Sequence, residues 1–220
     1  MWLIQNGLKQ FVYGVIGLSL WLGMTIPCLA QQKAKTHGGI SAIGFITGIG
    51  FQNPDQAPSL IPNWLKVPVD YRHQLRFFQA QIYFHLAEKG NWEFQSLIQP
   101  QFNLTRYKLF VDDPNFANGY EFGFTSGLLV RRHLFKRRIS LYFAASVGPV
   151  WTKGIPIRQA ELLNFSDSLV LGLTLRLHRQ LCLDLRPGFR HTSNAGTRSP
   201  NGGINNIVLS GGLYWDFFGE

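Results

Sequence analysis

The stretch Trp92-Glu93-Phe94-Gln95-Ser96-Leu97-Ile98-Gln99-Pro100-Gln101-Phe102-Asn103-Leu104-Thr105 separates into two interleaved rows. Trp92, Phe94, Ser96, Ile98, Pro100, Phe102 and Leu104 form one, and it is mostly apolar. Glu93, Gln95, Leu97, Gln99, Gln101, Asn103 and Thr105 form the other, and it is mostly polar. Side chains leave an extended strand on alternate faces, so a period of two gives one face of each kind. The run is long for an ordinary strand. It suits a strand crossing a bilayer at a tilt, which takes about 9–11 residues.

The same split recurs at Phe122, Phe124, Ser126, Leu128, Val130, and at Ile139, Leu141, Phe143, Ala145, Val147. It returns at Leu169, Leu171, Leu173, Leu175, Leu177, set against Val170, Gly172, Thr174, Arg176, His178. Eight such runs can be counted, at about 40–51, 73–87, 92–106, 120–131, 139–150, 167–177, 181–192 and 206–218. Eight antiparallel strands close into a small barrel whose interior is filled by side chains, which argues against a pore. The fold class expected is all-β: an eight-stranded antiparallel transmembrane β-barrel spanning 31–220, with no second domain.

Alternation alone does not say which row faces outward. A soluble barrel of lipocalin type would put the apolar rows inside. The polar rows, however, are filled by Gln, Gly, Ser and Thr, and charged residues are only 15% of the chain against 14% aromatics. The connections also alternate in length. Those near 88–91, 132–138 and 178–180 are short, and those near 52–72, 107–119, 151–166 and 193–205 are long. Short periplasmic turns and longer external loops are the habit of outer-membrane barrels. The aromatic run Tyr214-Trp215-Asp216-Phe217-Phe218 fits an interfacial girdle.

Residues 1–30 read as a cleaved secretory signal. One charge, Lys9, precedes an apolar core from Phe11 to Ile26, and Pro27-Cys28-Leu29-Ala30 forms a small-residue exit. A retained transmembrane helix is the competing reading, and Pro27 argues against a lipid anchor on Cys28. Removing Lys9 takes the formal charge from +9 to 9 − 1 = +8. Cys182 is then the remaining cysteine, which leaves no internal disulfide, and it falls on a polar, interior row. His37, His73, His85, His133 and His178 share no spacing, so no metal and no cofactor are expected. The basic run Arg131 to Arg138 spans a short turn and reads as a solvated periplasmic face rather than a nucleic-acid site. Lys66, Arg72, Arg106, Lys108, Lys153, Arg158 and Arg198 fall near the long loops. There they either meet lipid phosphates or simply solubilise the surface.

Chemistry is concentrated after the seventh run. Its apolar row, Leu181, Leu183, Leu185, Pro187, Phe189, continues in parity into His191 and Ser193. The eighth run's apolar row, from Ile207, extends back to Asn205. With apolar rows facing lipid, His191, Ser193 and Asn205 emerge on the lipid side at the external end, between strands 7 and 8. A histidine beside a hydroxyl is the minimum for an activated nucleophile, and Asn194 with the glycine-turn amides offers oxyanion donors. A nucleophile so placed reaches an ester in the outer leaflet rather than a soluble substrate.

His191-Thr192-Ser193-Asn194-Ala195-Gly196, followed by Pro200-Asn201-Gly202-Gly203-Ile204-Asn205, resembles the signature of the outer-membrane lipid A 3-O-deacylases, the PagL family. Gln99-Pro100-Gln101-Phe102-Asn103 and Gly148-Pro149-Val150-Trp151 are similar to strand-end patterns of that family. The resemblance implies an esterase that removes the 3-hydroxyacyl chain from lipid A (lipopolysaccharide) in the outer membrane. It implies Ser193 as nucleophile, His191 as general base, an oxyanion hole from Asn194 and the Gly196 N–H, and Asn201 holding the loop. The family's acidic member falls at Asn205, which can orient an imidazole but carries no charge. No replacement carboxylate stands out, because Asp184 lies on the opposite strand face. The alternatives are an esterase or phospholipase acting on another outer-membrane lipid, and a non-catalytic structural or adhesive barrel.

Overall fold

The computed structural model describes residues 39–52, 71–110 and 112–218. The signal segment expected over 1–30, and Lys66, lie outside them. Eight strands follow in order: β1 Ile40–Phe51, β2 Arg72–Lys89, β3 Trp92–Lys108, β4 Ala117–Leu134, β5 Ile139–Lys153, β6 Leu162–His178, β7 Leu181–Ser193 and β8 Ile204–Asp216. Each pairs antiparallel with the next, and β1 pairs with β8, so the sheet closes with no free edge.

Closure is compatible with the sequence because the rows sort by face. Ile43, Phe45, Ile49, Phe102, Phe124, Phe143, Leu171, Leu185, Leu209 and Leu213 stand exposed on the outside. Gln81, Gln95, Gln99, Asn103, Glu121, Thr125, Arg131, Asp184, Arg186, Arg190 and Asn206 are buried inside. A water-soluble barrel has the reverse arrangement, so the lipocalin-type alternative fails on orientation. Trp92 and Trp215 mark the end with the short turns, and Tyr120, Phe122 and Trp151 the opposite end.

The interior is filled by side chains, apart from a small cavity of about 40 Å³ lined by Gln99, Gln101, Arg186 and Arg190 among others. Near the short-turn end, Tyr83, Leu97, Leu129, Tyr142, Ala144, Cys182 and Tyr214 pack together with Ala42. Charged groups thread through this packing with partners. Arg131 donates to Tyr214 Oη at 3.0 Å, Arg186 to Tyr83 Oη at 3.1 Å and to Asp184, and Tyr142 Oη to Asp184 at 2.7 Å. Gly172 makes room for this: a Cβ there would fall 1.9 Å from the Tyr142 ring. Nearer the long-loop end, Arg190 donates to Glu121 at 2.7 Å and to Ser166 at 2.8 Å, and Asn103 donates to Glu121 at 2.8 Å. In a low-dielectric interior such ions are tolerated because they are paired and hydrogen-bonded.

Strand ends depart from the sequence expectation most at β6, and by at most three positions elsewhere. β6 begins at Leu162, five positions before the expected 167. The doublet Leu162-Leu163 masks its alternation, although Asn164 and Ser166 point inward and are fully buried. β8 begins and ends two positions earlier than expected, at Ile204 and Asp216, because the buried Ile204 starts the ladder opposite Thr192.

Candidate active site

Two strands, β7 and β8, deliver side chains to one patch on the lipid-facing side at the long-loop end. On β7, Arg190 and Thr192 point inward and are buried, so His191 and Ser193 project outward with Phe189. On β8, Ile204 and Asn206 are buried, which turns Asn205 outward. His191 and Asn205 are directly opposed in the β7–β8 ladder. Their side chains meet: His191 Nδ1 and Asn205 Oδ1 are 2.6 Å apart. An amide oxygen only accepts, so Nδ1 carries the proton and the neutral ring presents Nε2 as a base. Asn205 is itself anchored, its N–H donating to the buried Tyr71 hydroxyl at 2.8 Å.

Gly203 backs the imidazole. Its φ is +70°, and an added Cβ would lie 2.7 Å from His191 Cε1. The ring therefore lies against bare backbone, which only glycine supplies there.

The β7–β8 connection is built around Asn194, which is fully buried. Its N–H donates to Asn201 Oδ1 at 3.0 Å, and its Nδ2 donates to the carbonyls of Arg198 and Pro200 at 2.9 and 3.3 Å. Its Oδ1 accepts the Gly196 N–H at 3.0 Å. Ala195 and Gly196 take left-handed φ of 54° and 80°, turning the chain sharply just beyond Ser193. Asn201 ties the two ends of the loop together through this contact. The expected oxyanion donors are engaged otherwise: both the Asn194 amide and the Gly196 N–H are spent inside the loop, since a tight turn must satisfy its own buried polar groups. Among the described residues no hydrogen bond joins His191 to Ser193.

Sequence reasoning missed the brace from the neighbouring loop. Gln159 bridges to Asn201, and its Oε1 accepts the Gly203 N–H at 3.0 Å. Arg158 O accepts the Gly202 N–H at 2.7 Å, its Nη2 donates to Gly202 O at 2.7 Å, and its guanidinium lies 4.4 Å over the Tyr71 ring. Ala160 N–H donates to Pro200 O at 2.9 Å, and Arg198 Nη2 to Leu163 O at 2.7 Å. Arg158 and Arg198 therefore hold the loops together, whatever else they contact. Their sequence context carries no signal for this, because the acceptors Gly202 O and Leu163 O are backbone carbonyls of another loop or strand.

A family model for lipid A 3-O-deacylase (PagL) matches residues 76–214. No curated protein matches the chain. Among solved structures, the outer membrane enzyme PagL superposes with a TM-score of 0.53 at 14% identity, over 76% of this chain and 97% of that one. Neisserial surface protein A gives a TM-score of 0.39 at 12% identity, covering 80% of this chain and 96% of its own. Ail, the attachment invasion locus protein of Yersinia pestis, gives 0.39 at 13% identity, covering 80% and 100%.

Proposed function

The chain belongs to the lipid A 3-O-deacylase (PagL) family, and on that premise we propose that it hydrolyses the 3-hydroxyacyl ester at position 3 of lipid A by a serine mechanism. Ser193 is the nucleophile, His191 the general base and Asn205 the residue that orients the imidazole. The observation that carries this reading is the His191–Asn205 contact of 2.6 Å on the lipid-facing side. It leaves Nε2 as the basic nitrogen on the imidazole, in the strand that carries Ser193 two residues on.

Nε2 takes the proton of Ser193 Oγ as the oxygen attacks the ester carbonyl. Collapse of the tetrahedral adduct expels the lipid A hydroxyl, which receives that proton, and leaves an acyl-serine. Water, deprotonated in turn by His191, cleaves the acyl-serine and releases the 3-hydroxy fatty acid. For the oxyanion we assign Asn194 and the Gly196 N–H. In the free enzyme the Asn194 donors and the Gly196 N–H are all held inside the loop, so binding the oxyanion requires those contacts to be exchanged. Catalytic hydrogen bonds commonly tighten only in the substrate complex, and the Ser193–His191 contact is treated the same way.

The outward-facing apolar rows support an outer-membrane location, with the long loops external and the ester approached from the outer leaflet. Mass spectrometry of lipid A incubated with the detergent-purified barrel tests the proposal, with Ser193→Ala alongside. Loss of one 3-hydroxyacyl mass by wild type alone is the expected result. Ser193-dependent release from other lipid esters, without change in lipid A, moves the substrate elsewhere. No hydrolysis by a folded barrel sinks the enzyme reading.

A further inference from the structure

His191 has a neighbour on its other side. In the β6–β7 ladder its partner is Asp167, so Asp167, His191 and Asn205 form one row across three strands. Asp167 shares parity with the exposed Leu163 and Leu171, while Asn164, Ser166 and Thr174 of the alternate row are buried inside. The carboxylate therefore stands on the lipid-facing side, as His191 does. Side chains directly opposed in an antiparallel pair have Cβ atoms roughly 4.5–5.5 Å apart. Among the described residues Asp167 makes no ion pair, although it lies within electrostatic reach of His191 and Arg190. Arg190 points inward and is already matched by Glu121. A lone carboxylate on the apolar side of a membrane barrel is costly and marks a functional position.

We propose that Asp167 supplies the negative charge that Asn205 lacks, as a positioning residue that stabilises the imidazolium of His191 from β6. The division of labour is geometric. Asn205 holds Nδ1–H and fixes the tautomer, while Asp167, across the ring, offsets the charge formed when His191 takes the serine proton. This rests on the proposed roles of His191 and Ser193. Among the described residues, the other groups placed against the imidazole are neutral: Asn205 on β8 and the Gly203 backbone, with Ser193 on the same face of β7. Arg158 from the β5–β6 loop is held on Tyr71 and Gly202.

The test is the pH–rate profile of lipid A deacylation by Asp167→Asn. A carboxylate beside an imidazole favours its charged form. Removing it should move the acid limb of kcat/KM to lower pH by about one unit and lower the plateau of kcat about tenfold. Asn205→Glu, introduced into Asp167→Asn, should restore both, because it returns the charge from the other strand. The gain from Asn205→Glu should be about tenfold larger in that background than in wild type. Should Asp167→Asn fail to fold, Asp167→Ser carries the same test, since Ser166 and Ser168 already stand in that strand. An unchanged acid limb and kcat would overturn the inference. So would a change confined to KM, which would make Asp167 a substrate contact, or a loss that Asn205→Glu does not restore. Ser193→Ala distinguishes the two levels: if it stays active, the serine reading has failed, and if it is dead while Asp167→Asn is normal, only the role of Asp167 has.

Discussion

Gly203→Ala separates the position of the His191 ring, the proposed base, from the stability of the loop that carries it. The new methyl carbon would stand 2.7 Å from His191 Cε1, where nonbonded carbons settle at about 3.5–4.0 Å. The ring must therefore retreat by roughly 1 Å. The 2.6 Å contact between Nδ1 and Asn205 Oδ1 cannot absorb that and stay a good hydrogen bond. A misplacement of about 1 Å costs on the order of 10²-fold in rate. The same substitution also puts a Cβ on a residue at φ +70°, a backbone penalty of about 1–2 kcal/mol. Gly90→Ala isolates that second effect. Gly90 has φ +60°, with nothing within 4 Å of an added Cβ, and lies in the β2–β3 turn at the opposite end of the barrel. Initial rates of lipid A deacylation, normalised to the folded fraction from heat-modifiable gel mobility, should fall about 10²-fold for Gly203→Ala and stay level for Gly90→Ala. Both should unfold at lower urea. Equal rates per folded molecule in the two variants would refute the claim that ring position limits turnover.

Other outcomes follow from the same geometry. Asn205→Ala removes the acceptor that fixes the His191 tautomer and should lower kcat by about 10²-fold or more, read on the same substrate; a loss within twofold would remove Asn205 from the site. Glu121→Leu leaves the buried Arg190 without its carboxylate and should cost about 3–5 kcal/mol in reversible unfolding from liposomes; a cost below about 1 kcal/mol would mean the pair contributes nothing to the barrel. Leu171→Arg, at an outward position midway along β6, should destabilise the barrel by about 2–4 kcal/mol in the same assay, whereas a neutral effect would contradict the lipid-facing assignment. Asn201→Ala deprives the buried Asn194 N–H of its acceptor and should cost about 1–3 kcal/mol, with faster protease nicking between Asn194 and Gly203.

The barrel was legible in the sequence because its signal is redundant. Each strand repeats the same alternation, and one strand read with the wrong parity would turn charged residues such as Arg186 and Arg190 into lipid. The site was legible in part. His191, Ser193 and Asn205 share a face by parity, since the outward rows of β7 and β8 run on to the strand ends at Ser193 and Ile204. The bracing by Gln159 and Arg158 was not, because its acceptors and donors are largely backbone groups, and backbone groups have no sequence.

Asp167 shows most clearly where reading by strand alone stops. Its face could be inferred from Leu169 and Leu171, two and four positions on. What could not be inferred was its level along the barrel. Taking β6 to start at 167 puts Asp167 at the loop edge and leaves its cross-strand neighbour undefined. The observed start at Leu162 adds the pairs Phe165–Ser193 and Ser166–Thr192 ahead of Asp167–His191. Register between neighbouring strands is fixed jointly by both, through the loop that joins them and the buried rows they share. A carboxylate chosen for its distance from His191 in sequence would therefore be sought on β7 or β8, as Asp184 was. The row Asp167–His191–Asn205 crosses three strands, and its acidic end lies on the strand before the one that carries the base. On the proposed reading the charge stands on the β6 side of His191 while the His-x-Ser motif stays as it is, an arrangement that depends on the register of β6 against β7.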